Sequence, residues 1–446
     1  MAAPARSVAL PLPVPWRRAV PGARVVVPPW LPGLLVAVLL TLPAWAPFLR
    51  PDLNLWQLFD GSSHLRKAWL LAQQIKDGNW YPRWIPDLYG GYGYPTFTFY
   101  APATYYLTLA LALLPRVGLY EAFQVLGAGG AAAIVGGVYA LAWRLWRHAP
   151  AAVWSVAAVA YAPYLFPNNL FMSGWVPQIL GNALTVWLLV ALLGLWQTVA
   201  PSRSAGAPDG ARPGARPGAT RWWWAVALLT AALLLTHNPS AAIAAGLCAL
   251  WLVPLSLWRP SRRGLVLAGS AALYGALLAA FLWLPALLEI PLVQVERMNR
   301  GELHYRNQFL VWPGLHPFLW GLQERSAYRP IGFPFDLQLL YPHSAYGPTK
   351  LGLWQALTLG AALPLFLLAL LRAGRKRGGG GETSRLAGRG VLAGRRLELL
   401  SAGFGLAVFL LFYSQSFDWW LPLWERYSLL RSIQLPARFL PGACLG

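Results

Sequence analysis

Long stretches without a charge alternate with short polar connections along most of the chain. Nine such runs contain no Asp, Glu, Lys or Arg: Trp30–Leu49, Ala122–Trp143, Ala151–Phe166, Ile179–Val199, Trp222–Thr236, Ala241–Trp258, Gly264–Leu288, Leu351–Leu371 and Leu399–Phe417. About 20 apolar residues in a helix cross a hydrocarbon core, so these runs predict membrane spans. Ala101–Leu114 (APATYYLTLALALL) is also apolar, but its 14 residues are short for a crossing and suit an interfacial or re-entrant segment. After Asp60, HLRKAWLLAQQIKDG places Leu65, Ala68, Trp69, Ala72 and Ile75 on one helical face, with Arg66, Lys67, Gln73 and Gln74 largely opposite and Gly78 as a stop. This predicts an amphipathic helix lying flat on the outer leaflet, with Ser62 and Ser63 as candidate caps.

Composition agrees with the pattern. At 57% hydrophobic residues and a mean hydropathy of +0.46 over 446 residues, the chain has more apolar surface than a water-soluble fold covers. It reads as an all-α polytopic membrane protein of about nine to ten transmembrane helices with juxtamembrane amphipathic helices in its first outer loop. The last twelve residues, LPARFLPGACLG, read as the start of a further span cut short. Cys248 and Cys444 sit in or beside apolar runs and do not fix a redox compartment.

The formal charge of +21 does not point to nucleic acid, because the arginines lie in connections between spans rather than on one face, as topology signals do. If Ala101–Leu114 does not cross, a cytoplasmic tail 1–29, Arg144, Arg147, Arg259, Arg262, Arg263 and the Arg-rich linkers at 200–221 and 372–397 share the inner side. Both linkers are Gly/Ala/Pro/Arg mixtures that read as flexible. The rest, 30–446, forms one transmembrane domain with a first outer loop at 50–120 and a long outer loop at 289–350. All acids but Asp209, Glu382 and Glu398, and all histidines but His148, then face outward.

Candidate chemistry therefore gathers on the outer face, above all in Arg50–Tyr100, which carries Asp52, Asp60, His64, Arg66, Lys67, Lys76, Asp77, Arg83 and Asp87. Asp60 precedes the amphipathic helix, where the helix dipole favours a carboxylate, so it reads either as an N-cap or as a site acid. GNWYPRWIPDLYGGYGYPTFTFYAP is too rich in Pro and Gly for a regular helix; its aromatics suit the headgroup level or stacking on a sugar ring. Thr236-His237-Asn238-Pro239 pins a histidine at the outer end of a span, as a helix-terminus group or a site residue. In Pro167–Gln178, Asn168, Asn169 and Gln178 suit hydroxyl binding or a solvated turn. The 289–350 loop, with Glu296, Arg297, His304, His316, Asp336 and His343, has the length of a lid and no zinc-ligand spacing.

Asp60, His64, Arg66, GNWYPRW, GYGYP and FYAP together resemble the first outer loop of the GT-C superfamily of integral-membrane glycosyltransferases. With THNP at 236–239 and QLPARF at 434–439, the chain is most similar to the bacterial membrane family labelled "6-pyruvoyl-tetrahydropterin synthase related". The resemblance covers most of the chain in topology and about a fifth of it in specific motifs. It implies a GT-C-like bundle in a bacterial inner membrane and a polyprenyl-phosphate sugar as donor, with a glycan, lipid or protein as acceptor and membrane lipid as a partner. Asp60 takes the position of the base or site acid, with His64 and His237 as further catalytic candidates. Arg66, Lys67, Arg83, Tyr94, Asn238 and Arg438 are the substrate-binding candidates, the cations suiting a departing phosphate. DGSSH stands where many members carry two adjacent acids, so a divalent cation is left open. The alternatives are a flippase or transporter of lipid-linked sugars, or a scaffold that keeps the fold without activity.

Overall fold

The computed structural model of the chain describes residues 27–162, 164–199, 218–294, 306, 357–361, 363–364, 366–368, 382–415, 418–427 and 430. Most of the expected tail, the linker at 200–217, almost all of the 289–350 loop and Arg438 lie outside them.

The described residues form helices and a single antiparallel bridge, Ile85 to Tyr94. Hydrocarbon offers the backbone no hydrogen bonds, so each uncharged run satisfies its own by coiling. Five helices are long and apolar enough to cross a membrane: α1 (Leu31–Trp45, extended by a 3₁₀ turn to Leu49), α5 (Leu119–Trp146), α7 (Val176–Val199), α8 (Ala219–Thr236) and α9 (Asn238–Trp258). Two bent pairs raise the number to seven. α6 (Ala149–Ala160) meets a π-helix, Tyr164–Met172, at 42°, and α10 (Arg262–Leu278) meets α11 (Ala280–Glu289) and the turn behind it at 72°. The two C-terminal runs are described as shorter apolar helices: α12 (Leu357–Leu368) and the segment Leu397–Phe412 of α13 (Glu382–Ser414). α13 corrects the flexible reading of 372–397, since its first turns occupy 382–397. Arg, Leu and Glu supply enough helix-forming character there to outweigh the glycines.

The first outer loop holds α2 (Gly61–Lys76), α3 (Thr96–Phe99) and α4 (Ala103–Ala112). At ten residues α4 is about 15 Å long and does not cross, as Ala101–Leu114 predicts. Gly78 stops α2 with a left-handed φ of +87°. The buried face of α2 departs from the expected stripe. Gly61, His64, Leu65, Ala68, Leu70 and Leu71 are buried, whereas Trp69 is 53% exposed. α4 covers α2 on the side that holds His64 and leaves Trp69 outside that contact.

α7 is the hub, 83% buried across its apolar window against 28–56% for the other four spans. One apolar core joins α1, α5, α6, the π-helix and the first half of α7; a second joins the rest of α7 to α8, α9, α10 and α13. Small residues allow the close approaches. A Cβ on Gly137 of α5 would stand 2.9 Å from Val186 of α7, and one on Gly275 of α10 would stand 2.2 Å from the Ala227 carbonyl of α8.

Contacts sort the connections onto two ends. Phe59 and Asp60 bond Met172 and Ser173, Asn238 bonds Phe99, and Arg83 bonds Phe281, so these share one end with Asp60. At the other end Trp196 bonds Arg259, Gly264 packs on Trp196, and Arg144 bonds Gln197. The described arginines at 144, 147, 221, 259, 262 and 263 thus lie at the end opposite Asp60.

Candidate functional site

Asp60 occupies the N-cap position of α2, but its carboxylate makes no bond to the helix's own N–H groups. Its Oδ2 instead accepts from the indole N–H of Trp175, 115 residues away. The clamp is backbone on both sides. Phe59 N–H donates to the Met172 carbonyl at 3.0 Å and Asp60 N–H to that of Ser173 at 2.9 Å. Between them two glycines touch, for a Cβ on Gly174 would lie 2.9 Å from the Gly61 Cα. Gly174 has a φ of +67°, open to glycine at little cost. Trp175 itself is pinned, donating its N–H to Asn169 at 2.7 Å and accepting from Gln178 and Ile179 at 3.0 Å. Neither Ser62 nor Ser63 caps the helix; Ser63 Oγ accepts from Lys67 Nζ at 2.6 Å.

His64 faces inward, 3% exposed, its ring about 6 Å from those of Tyr100, Tyr105 and Phe123. Its Nδ1 shares a hydrogen bond of 2.8 Å with the Tyr105 hydroxyl. Burial, then the nearby charges of Lys67 and His237, hold its proton affinity well below the ordinary imidazole range, so it is neutral. Burial likewise holds Tyr105 well above the usual phenol range. Lys67 Nζ stands 4.8 Å from the centre of the Tyr100 ring. Burial lowers its proton affinity, and Asp60 acts in the opposite direction.

Lys67 and His237 thus act on His64, and Asp60 acts on Lys67 and Tyr105, which links the four groups at this end of the chain. His237 fills the single-residue break between α8 and α9 and caps α9, its Nδ1 accepting from Ser240 N–H at 3.3 Å. The other nominated residues are elsewhere. Arg66 is exposed. Arg83 lies 3.8 Å from the Glu289 carboxylate and donates to the Phe281 carbonyl at 3.4 Å, tying the first outer loop to α11. Tyr94 forms the bridge with Ile85, its ring 5.1 Å from that of Tyr89. Asn238 Nδ2 donates to the Phe99 carbonyl at 2.8 Å.

Asn168, Asn169 and Gln178 are buried, which overturns the solvated-turn reading of Pro167–Gln178. The π-helix turns Asn168 and Asn169 inward, where Asn168 donates to Asn169 at 3.1 Å, and Gln178, in the first turn of α7, donates to the Tyr164 hydroxyl at 3.2 Å. Among the described residues no three His, Cys, Asp or Glu side chains come together as a metal site. Asp60, His64 and His237 do not meet as a ligand set, and no step below runs through a divalent cation.

Sequence reasoning missed Trp175, Tyr100 and Tyr105. Trp175 and Tyr105 lie in apolar surroundings where an aromatic residue is unremarkable, and only the pairing of Ser173 with Asp60 brings the indole to the carboxylate.

Fold and site together define a polytopic membrane protein with a half-buried carboxylate and a half-buried ammonium at the end where its first outer loop lies. No protein-family model and no curated protein matches the chain, so the label "6-pyruvoyl-tetrahydropterin synthase related" is without support. Among solved structures it is similar to the crystal structure of ArnT from Cupriavidus metallidurans bound to undecaprenyl phosphate. They are 17% identical with a TM-score of 0.40, over 93% of this chain and 76% of that one. The apo structure of the same protein gives 16% and 0.39 over the same shares.

Proposed function

We propose that the chain is a membrane glycosyltransferase of GT-C type, moving a sugar from a polyprenyl-phosphate carrier to a glycan, lipid or protein acceptor. The arginines at the opposite end favour a cytoplasmic location for that end, as in a bacterial inner membrane with the N-terminal tail inside, so Asp60 faces away from the cytoplasm. One observation carries the reading: a carboxylate at a helix start that is held by a distant indole instead of capping its helix, with Lys67 about two turns along that helix.

The acceptor O–H bond breaks and its proton goes to the Asp60 carboxylate through Oδ1, the oxygen that Trp175 does not hold. The acceptor oxygen bonds the anomeric carbon while the bond from that carbon to the phosphate oxygen breaks, releasing polyprenyl phosphate. Lys67 balances the charge growing on the phosphate. Arg66, exposed one residue away, and Arg438 are further candidates for that anion, and Tyr94 and Asn238 are candidates for the sugar. His64 takes no proton in this scheme; neutral and bonded to Tyr105, it shapes the wall between α2 and α4.

The test uses purified protein in proteoliposomes with undecaprenyl-phosphate monosaccharides differing in the sugar, and mass spectrometry of released undecaprenyl phosphate. Replacing Asp60 by Asn should cut release by about 10²- to 10⁴-fold, the usual share of a general base. Release that is unchanged in Asp60→Asn removes the acid from the mechanism. Movement of a fluorescent lipid-linked sugar between leaflets, equal in both proteins, would instead favour a carrier.

A further inference from the structure

We infer that the end opposite Asp60 carries a second lipid site, which takes an anionic phospholipid with its phosphate on Arg144, Arg147 and Arg221 and one hydrocarbon chain in an adjacent cavity. Arg144 is half-buried near the end of α5. It donates to Gln197 at 3.3 Å, and its guanidinium lies 4.7 Å from the ring centre of Trp222. Arg221 lies 5.2 Å from the centre of the same ring. The charges that Arg144 meets are the cations Arg147 and Arg221. None of the three forms an ion pair with a carboxylate among the described residues. Arginines that serve only as topology signals stand in water; here a partly desolvated cation is crowded by two others, an arrangement that an anion relieves.

The identity of the anion comes from what lies next to it. Leu141 and Leu145, one turn apart beside Arg144, and Trp146 line a cavity of about 280 Å³ that is closed by Trp251 of α9 and Phe404 and Phe409 of α13. Its three hydroxyls are tied to the protein: Ser155 donates to Ala151, Ser401 to Leu397, and Thr358 accepts from Trp154. Such walls, set among candidate membrane spans, suit hydrocarbon and give no purchase to a headgroup. A phosphate beside a hydrocarbon slot describes a bilayer lipid, and basic pockets between spans are where anionic headgroups bind. The cavity shares no residue with the Asp60 site, so this inference stands apart from the proposed transfer reaction.

The test places the full chain in nanodiscs of equal dioleoyl phosphatidylglycerol and phosphatidylcholine and reads retained lipid by native mass spectrometry after mild detergent extraction. Phosphatidylglycerol should be retained preferentially. Arg144→Gln with Arg221→Gln should lower its retention roughly 25-fold, about five-fold for each arginine, and leave phosphatidylcholine unchanged. The control pair Arg262→Gln and Arg263→Gln, at the same end, should keep the preference. Equal retention of both lipids, or an equal loss in the control pair, overturns the headgroup site. For the chain, phosphatidylglycerol carrying a diazirine on one acyl chain is photolysed in the unmutated protein. Adducts at 401–409 support the cavity, and adducts confined to exposed residues such as Leu273 and Leu277 overturn it.

Discussion

Acidification is expected to destabilise the folded protein through His64. The ring is 3% exposed, walled by three aromatic rings, and faces the positive charge of Lys67, so its proton affinity falls well below the ordinary value of 6.5. In the unfolded chain it returns to about 6.5. A depressed folded value means that the unfolded state binds the proton more readily. The contribution of His64 is therefore complete above about 6.5 and is lost as the pH falls from there towards the folded value. Well inside that window the slope approaches about 1.4 kcal/mol per pH unit. Thermal unfolding in detergent, followed by intrinsic fluorescence between pH 7.5 and 5, should be compared for wild type and His64→Gln. Glutamine can keep a hydrogen bond to Tyr105 but does not titrate, so the difference between the two pH profiles isolates the imidazole. Wild type should lose stability more steeply below pH 6.5. Parallel profiles would show that His64 is not shielded as its surroundings require.

Trp175→Phe keeps an aromatic ring but removes the donor to Asp60; sugar release should fall about ten- to a hundred-fold with little change in melting temperature, as loss of orientation predicts. Gly174→Ala should cost about 2–4 kcal/mol, from a left-handed φ and a Cβ 2.9 Å from the Gly61 Cα, seen as a lower melting temperature. Arg83→Gln should change stability by less than about 1 kcal/mol, because its ion pair with Glu289 is half-exposed, and denaturant or thermal unfolding will register this.

The spans were readable because apolar length reports burial in a bilayer regardless of what packs against it. The short run at Ala101–Leu114, the stop at Gly78 and the break at His237 were readable for similar reasons, each set by local chain geometry. Asp60 and Lys67 stood out as charges in a chain only 11% charged. The partners that give them a setting did not. Trp175 reaches Asp60 only because a π-helix turns the chain back onto α2, and nothing near Trp175 signals that turn. Periodicity placed Trp69 with the buried face of α2, but α4 covers the neighbouring side, so tertiary contact decided the orientation. The polar residues at 168, 169 and 178 looked like surface because amides usually are; the bend between α6 and the π-helix buries them.

The cap at the start of α9 restricts what His237 can do. Its Nδ1 takes the Ser240 N–H at 3.3 Å and also lies 2.8 Å from the Ser240 hydroxyl, so one residue of α9 holds the ring twice. The imidazole cannot swing towards a substrate without giving up the cap of α9. The first turn of α9 also carries the Asn238 tether to Phe99. Any movement of the ring at position 237 would thus be felt as slack in the first outer loop.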